Sequence, residues 1–366
     1  MIALPLFVFL FFASLAGQPP THPAATVGAT YKNIQVFTEL KDAPSTQLID
    51  AMQFMSGSLG VSCNYCHVSQ HGPFDDDANP RKMKARDMIR MVRALNANAF
   101  GGHQTVTCYT CHRGSARPVG TPIPWDKTPD QIAAYKASVA ANADAGTPPR
   151  VSTLPTVQEV FSRYRRATGA DALKSLRLTG VNTVAMSASS TPFEADALFP
   201  GRFRIVAKTA GGDIESILNG ADGWRRSGTS TTALPAAQHA ATLVNADLVI
   251  SAVKFESAIT SGTVAGVEQR GDTRYYIVQS QQGAGVQRLF FNVQSGLLYK
   301  VHTEFPTALG TRVEERTFED YRTIQGITLP FLIRNHYMED QSEFRISTAD
   351  VNVPLDPRIF EAGGGS

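Results

Sequence analysis

The sequence predicts an α+β chain of more than one unit. A mostly helical N-terminal part is followed by an antiparallel curved β-sheet or half-barrel carrying one or two helices. Three observations predict it. Helical periodicity dominates before residue 100, proline clusters between residues 115 and 156, and after Gly169 two-residue alternation recurs to the C-terminus. A length of 366 residues fits two or three domains. Hydrophobic content of 43% and charge of 18% are those of globular protein. A net charge of +2, with no basic arm, argues against nucleic acid as a partner.

In chain order, residues 2–16 form an apolar stretch too short for a comfortable membrane span. Ser14-Leu-Ala16 has the small-x-small character of a cleavage site, so residues 1–16 are read as a signal peptide and the protein as periplasmic or otherwise exported. The segment lacks Lys and Arg ahead of its apolar run, which leaves an uncleaved anchor as the alternative. The first folded unit is placed at 31–119. Ser45 to Met55 reads as a helix with Leu48, Ala51, Met52 and Met55 on one stripe, Ser45 as N-cap, and Gly57 and Gly60 as its breakers. A longer helix opens at Asn79-Pro80 and runs to about Asn96. Met88, Met91, Val92 and Leu95 fall on one side of it and Arg86, Arg90 and Arg93 on the other. Asp75-Asp76-Asp77 ahead of it reads as an exposed loop.

Residues 120–155 form a Pro/Ala-rich linker with a helical piece from Asp130 to Ala143, and the β-rich unit occupies 156–362. Thr156-Val-Gln-Glu159 is a capping box opening a helix with Val160, Phe161 and Tyr164. The clearest strands are Arg202 to Val206, Thr273 to Val278, Val286 to Val293, Leu298 to Thr303, Arg312 to Phe318 and Phe331 to His336. Turn signals stand at Asn219-Gly220, Asp222-Gly223, Ser295-Gly296 and Gln325-Gly326, and a further helix is expected from Pro235 to about Leu248.

The chemistry is concentrated in Cys63-Asn-Tyr-Cys66-His67 and Cys108-Tyr-Thr-Cys111-His112, which use every cysteine of the chain. C-x-x-C-H is the attachment signature of c-type haem: two thiols form thioethers to the porphyrin, and the next histidine is the proximal ligand. A single four-thiolate zinc site would separate its halves by about 15–20 residues and would leave His67 and His112 without a role, as would two disulfides. The motifs therefore predict two covalently attached haem c groups, with His67 and His112 on the irons. Met52 lies on a helix that ends just ahead of Cys63, so it can fold back as the sixth ligand of the first haem; Met55 shares its face. For the second haem Met91 is favoured, with Met88, His103, His71 and His22 as alternatives. A His/Met pair raises the reduction potential and closes the iron to outside ligands, which suits electron transfer.

Three stretches, Met52 to His67, Ala85-Arg-Asp-Met-Ile-Arg-Met-Val-Arg-x-Leu-Asn96 and Thr107 to Gly114, resemble the second haem pair of the photosynthetic reaction centre cytochrome c subunit family. The resemblance implies Met52 as the sixth ligand of the first haem and redox proteins, including a membrane-bound complex, as partners. The chain departs from the family in lacking the first haem pair, which there supplies a histidine to the last haem. The C-terminal unit weakly resembles half-barrel lipoprotein-carrier domains through Tyr321-Arg-Thr-Ile-Gln-Gly-Ile-Thr-Leu-Pro330 and Gly296-Leu-Leu-Tyr-Lys300, which implies a hydrophobic ligand or a docking role. No nucleophile with a base is visible there, and His239, His302 and His336 read as isolated. The expected function is an exported dihaem electron carrier rather than a catalyst. The rivals are a dihaem enzyme such as a peroxidase with one open haem, and a ligand-binding protein with haems as redox sensor.

Overall fold

The computed structural model describes residues 25–68, 74–118, 154–185, 188–199, 201–220, 222–234, 262–282, 285–337 and 341–363. The apolar leader, His22, His71, His239 and the helices expected at 130–143 and 235–248 lie outside them.

The N-terminal helices are α1 (Val27–Thr30), α2 (Ser45–Leu59), α3 (Pro80–Ala99) and α4 (Cys108–His112). Helix α2 differs from expectation at both ends. Pro44 takes the N-cap position and Ser45 is already helical and buried, while Gly57 lies inside the helix and does not break it. A lone glycine in a helix costs about 1 kcal/mol against alanine, which packing can offset. Gly60, in the left-handed region at φ 63°, is the true stop. Helix α3 begins as its sequence predicts, with the Asn79 side chain accepting from the Arg81 amide at 3.1 Å and Pro80 in the first turn. Val27, Phe37, Leu48, Ala51, Phe54, Ile89 and Cys108 form the helical core.

The facing of α3 is the reverse of the simple amphipathic reading. Lys82, Arg86, Ile89 and Asn96 are its buried residues, whereas Met91 is 51% exposed and Leu95 is also exposed. Arg86 is buried because Asp77 meets it; Arg93 donates to the Val36 carbonyl and pairs with Glu39. Of the three arginines, only Arg90, paired with Asp87, is a solvated surface residue.

Helix α5 (Val157–Thr168) starts at the predicted capping box, in which Thr156 and Glu159 cap each other reciprocally. Among the described residues it leads into thirteen strands in a single antiparallel sheet. These are β1 (Ser175–Val184), β2 (Ser189–Leu198), β3 (Arg202–Thr209), β4 (Gly212–Asn219), β5 (Asp222–Ser227), β6 (Ser230–Ala233) and β7 (Thr263–Arg270). They continue with β8 (Thr273–Gln282), β9 (Gly285–Asn292), β10 (Leu298–Thr307), β11 (Gly310–Ile324), β12 (Ile327–His336) and β13 (Gln341–Val351). Every strand pairs with its sequence neighbours, except that β6 and β7 are the two edges and β1 and β13 meet in the middle. Open sheets of more than about ten strands curl rather than stay flat, and bulges at Thr179/Gly180, Val264/Gly266 and Leu298/Lys300 bend this one. The expected turn at Asp222-Gly223 is instead the start of β5: Gly223 sits opposite Leu218 and Asp222 opposite Asn219 in the ladder, and the chain leaves β4 at Gly220, φ 64°.

Alternation along β12 turns Ile327, Leu329, Phe331 and Ile333 to one face. Helix α5 packs Val157, Val160, Phe161 and Tyr164 on this face against Val278, Leu289, Phe291 and Ile333. The opposite face carries an ionic network. His302, read as isolated from the sequence, is bonded through one ring nitrogen to Glu315 at 2.8 Å and through the other to Glu304 at 3.0 Å. Arg288 adds to Glu304 and Lys300 to Glu315, each at 2.8 Å. Sequence distance hides this cluster, because cross-strand register assembles it.

The sheet meets the helices at the β10–β11 hairpin, whose tip residue Leu309 is buried in the helical core. At the far side, Gly169 ends α5 at φ 66°, and a Cβ there would lie 2.3 Å from the Gly326 carbonyl oxygen. Gly169→Ala is therefore expected to lower stability by at least about 1–3 kcal/mol, read as a lower urea midpoint with unchanged m-value.

Candidate functional site

The first Cys-His motif follows the α2 stop directly. Gly60 turns the chain, and Cys63–Tyr65 forms a single 3-10 turn that brings the His67 amide to the Cys63 carbonyl at 3.0 Å. This folding gathers Cys63, Cys66 and His67 onto the lining of one cavity of about 270 Å³, shared with Met52, Met55 and Leu59 of α2. The two methionines belong to the same wall, three residues apart on one helix face. No disulfide joins the four cysteines. Burial pushes the Cys66 thiol up from its ordinary value.

The Nδ1 of His67 is buried and has no hydrogen-bond partner among the described residues. The Phe74 ring packs edge-on at 5.3 Å. Burial, then the nearby Lys82 and Arg86 charges, push the imidazole down, which favours the neutral form that ligates metals.

Sequence reasoning named Arg86 on the arginine side of α3 and missed Lys82. Both, only 5% and 9% exposed, belong to the lining of this cavity. Lys82 Nζ donates to the carbonyls of Phe74 and Asp76 at 2.8 Å and pairs with Asp77 at 2.8 Å. Arg86 pairs with the same carboxylate at 2.9 Å. The Asp75-Asp76-Asp77 run thus does more than hang in solvent: Asp77 is the counter-charge that lets two cations be buried. Arg86, then Asn33 and Lys82, hold its carboxyl well below the usual carboxylate range. The i, i+4 spacing of Lys82 and Arg86 behind an acidic run was the signal available.

The second motif is built differently. Helix α4 is Cys108–His112 itself, opened by a reciprocal Thr107–Thr110 cap. The buried Asn96 side chain of α3 clamps Val106 from both sides, donating to its carbonyl at 2.7 Å and accepting from its amide at 2.9 Å. Cys108 is buried in the helical core, while Cys111 is exposed. His112 bonds through Nδ1 to the Ser115 carbonyl at 2.9 Å, which leaves Nε2 free and fixes the ring, the usual arrangement of a ligating histidine. Of the residues expected near it, Met88 is half-buried, and Met91 and His103 are exposed. Met91, Leu95, Phe100 and Tyr109 are exposed apolar side chains of α3, the turn after it and α4.

The two motifs touch the same end of α2. The Gly114 amide donates to the Ser58 carbonyl at 2.9 Å, and a Cβ on Gly60 would lie 2.2 Å from the Gly114 carbonyl oxygen. No helix among the described residues is long and apolar enough to cross a membrane. The described residues hold no group of three or more His, Cys, Asp or Glu arranged to chelate a bare metal ion.

Residues 14–187 match the family model described as photosynthetic reaction centre cytochrome C subunit. The photosynthetic reaction center cytochrome c subunit of Thermochromatium tepidum is 37% identical over 108 residues, 29% of this chain and 25% of the relative. Cytochrome c-554 of Chloroflexus aurantiacus is 37% identical over 90 residues, 23% of this chain and 20% of the relative. The chain thus spans about a quarter of the length of these relatives. The resemblance of the N-terminal part to the cytochrome family is shown by these matches. Among solved structures, a DUF1329 family protein from Desulfovibrio piger covers 57% of this chain and 98% of its own, at 13% identity and TM-score 0.45. A LolA superfamily protein from Nitrosomonas europaea covers the same shares at 13% identity and TM-score 0.41. The sheet architecture given above rests on the strand pairing itself.

A carboxyl whose folded pKa is depressed contributes stability that is fully present above its unfolded pKa, near 3.9, and is lost progressively as pH falls from there through the lower folded value. Asp77→Asn is therefore expected to be less stable than wild type at pH 7, and the difference should narrow below about pH 4. Thermal melts from pH 7 to pH 3 check this; a constant gap would contradict it.

Proposed function

We propose that the chain is an exported dihaem c-type cytochrome that carries single electrons between redox partners. The observation that carries this reading is the shared cavity of Cys63, Cys66, His67, Met52 and Met55, a donor set suited to a thioether-attached haem and not to a bare ion. The ring of His112, oriented through its Nδ1 bond, supports the fit. Haem, when bound, supplies a one-electron iron couple; the transfer makes and breaks no bond.

The remaining work falls to the chain's own residues. Cys63 and Cys66 would tether the first haem and Cys108 and Cys111 the second, with His67 and His112 as proximal ligands. Met52 would be the second protein ligand of the first iron and Met91 that of the second. Lys82 and Arg86 place positive charge along the first cavity, which disfavours the oxidised, more positive state and so raises its potential. Burial of the cavity in apolar side chains acts in the same direction. The match to reaction centre cytochrome subunits supports a redox partner in a membrane complex, met outside the cytoplasm. The exposure of Met91 favours one further reading, a dihaem enzyme such as a peroxidase whose second iron keeps an open position.

Potentiometric titration of the mature, haem-loaded protein, followed across the visible and near-infrared, tests the proposal. Two low-spin waves are expected, one at high potential with a methionine–iron band that Met52→Ala abolishes and Met55→Ala spares. Arg86→Gln should move the high-potential wave downward and leave the other in place. A high-spin second haem that turns over peroxide would favour the enzyme, and a mature protein without covalent haem would refute both.

A further inference from the structure

We infer that the β10–β11 hairpin is a positioning element for the ligand helix α2, acting through Leu309, Gly310 and Arg312, so that the β-sheet unit sets the ligation of the first haem. The inference rests on the reading of Met52 as an iron ligand.

Helix geometry divides α2 into two working faces. Asp50 and Phe54 are four residues apart and share a face, while Met52 lies two residues from each, about 200° around the axis. The hairpin grips the first face. The Phe54 ring, 3% exposed, lies so close over Gly310 that a Cβ on Gly310 would sit 2.3 Å from its Cζ. Arg312, 8% exposed, pairs with Asp50 at 3.1 Å and with Glu314, and stacks over the Phe305 ring at 4.6 Å. Leu309, 4% exposed, enters the core formed by Leu48, Ala51 and Phe54, against which Met52 and Met55 also pack.

The other face, with Met52 and Met55, lines the cavity of His67. A close-packed helix moves as a unit rather than deforming locally. Any displacement that the hairpin imposes on Phe54 or Asp50 is therefore delivered to the Met52 thioether across the helix. Strands β10 and β11 continue from this grip into the interior of the sheet, where β10 contributes Leu298 and β11 contributes Phe318 to the α5-covered core. The sheet thus holds the helix through side chains that do not belong to the lining of the His67 cavity.

Two variants of the full-length, haem-loaded protein test this. Gly310→Ala inserts a methyl group against Phe54, and Asp50→Asn removes the charge facing Arg312 without adding volume. Each is expected to weaken the methionine–iron near-infrared band by half or more. Each should also shift the oxidised-to-reduced ratio of the high-potential haem at least tenfold at fixed potential, about 59 mV for one electron. The second wave and the covalent haem content should not change. Unchanged bands and potentials in both variants, even with a lower melting temperature, would overturn the inference and leave the proposed function standing. A wild-type protein without the band would overturn the Met52 assignment itself, and the inference with it.

Discussion

Two glycine backbones pressed together hold the N-terminal part in register. Gly60 ends α2 at φ 63°, in a conformation that side chains resist, and a Cβ there would also collide with the Gly114 carbonyl at 2.2 Å. The Ser58–Gly114 hydrogen bond of 2.9 Å locks the same contact. Cys63 lies three residues beyond Gly60 and His112 two residues before Gly114, so the reach of the chain keeps their Cα atoms within roughly 25 Å. One helix end thereby serves as the common anchor of both motifs, which is the condition for electrons to pass between the two proposed haems.

Charge follows from that anchoring. The described segment 74–79 ahead of α3 places Phe74 on the cavity wall and carries Asp77 to Lys82 and Arg86. Burying a cation without a partner costs several kcal/mol, so the pair of cations and the single carboxylate come as a unit. Two positive charges against one carboxylate leave the cavity net positive, with the effect described on His67 and on any iron beside it.

The sheet supplies a frame of a different kind. Antiparallel meanders join neighbouring strands by short turns, and here the first and last strands pair at the centre, so both ends of the unit are tied within one ladder. Its polar face shows how register can build a network: Arg288, His302 and Glu315 stand directly opposite one another on three successive strands. The ion pairs there are partly buried, and Glu304 and Glu315 are held below their ordinary values by His302 with Arg288 and with Lys300 respectively, Glu315 in spite of its burial. The hairpin that leaves this frame to enter the helical core is the physical link between the two parts.

Much of this was legible in the sequence where the signal is local. The Asn79-Pro80 start of α3, the Thr156–Glu159 cap of α5 and the six clearest strands each depend on a few adjacent residues, and they lie where their sequence places them. The cysteine-histidine motifs were equally plain, because attachment chemistry dictates their spacing. The facing of α3 was not, since periodicity separates its two sides without saying which is covered, and only the approach of Asp77 decides that the cationic side goes inward. The bonds of His302 and the burial of Leu309 against Phe54 join residues of different strands and different units. Sequence by itself determined which residues are proposed to carry the chemistry and where the clearest helices and strands lie, because these follow from neighbours along the chain. Tertiary structure alone decided which charges line the cavity and which hairpin packs on α2, because both depend on contacts between segments distant in sequence.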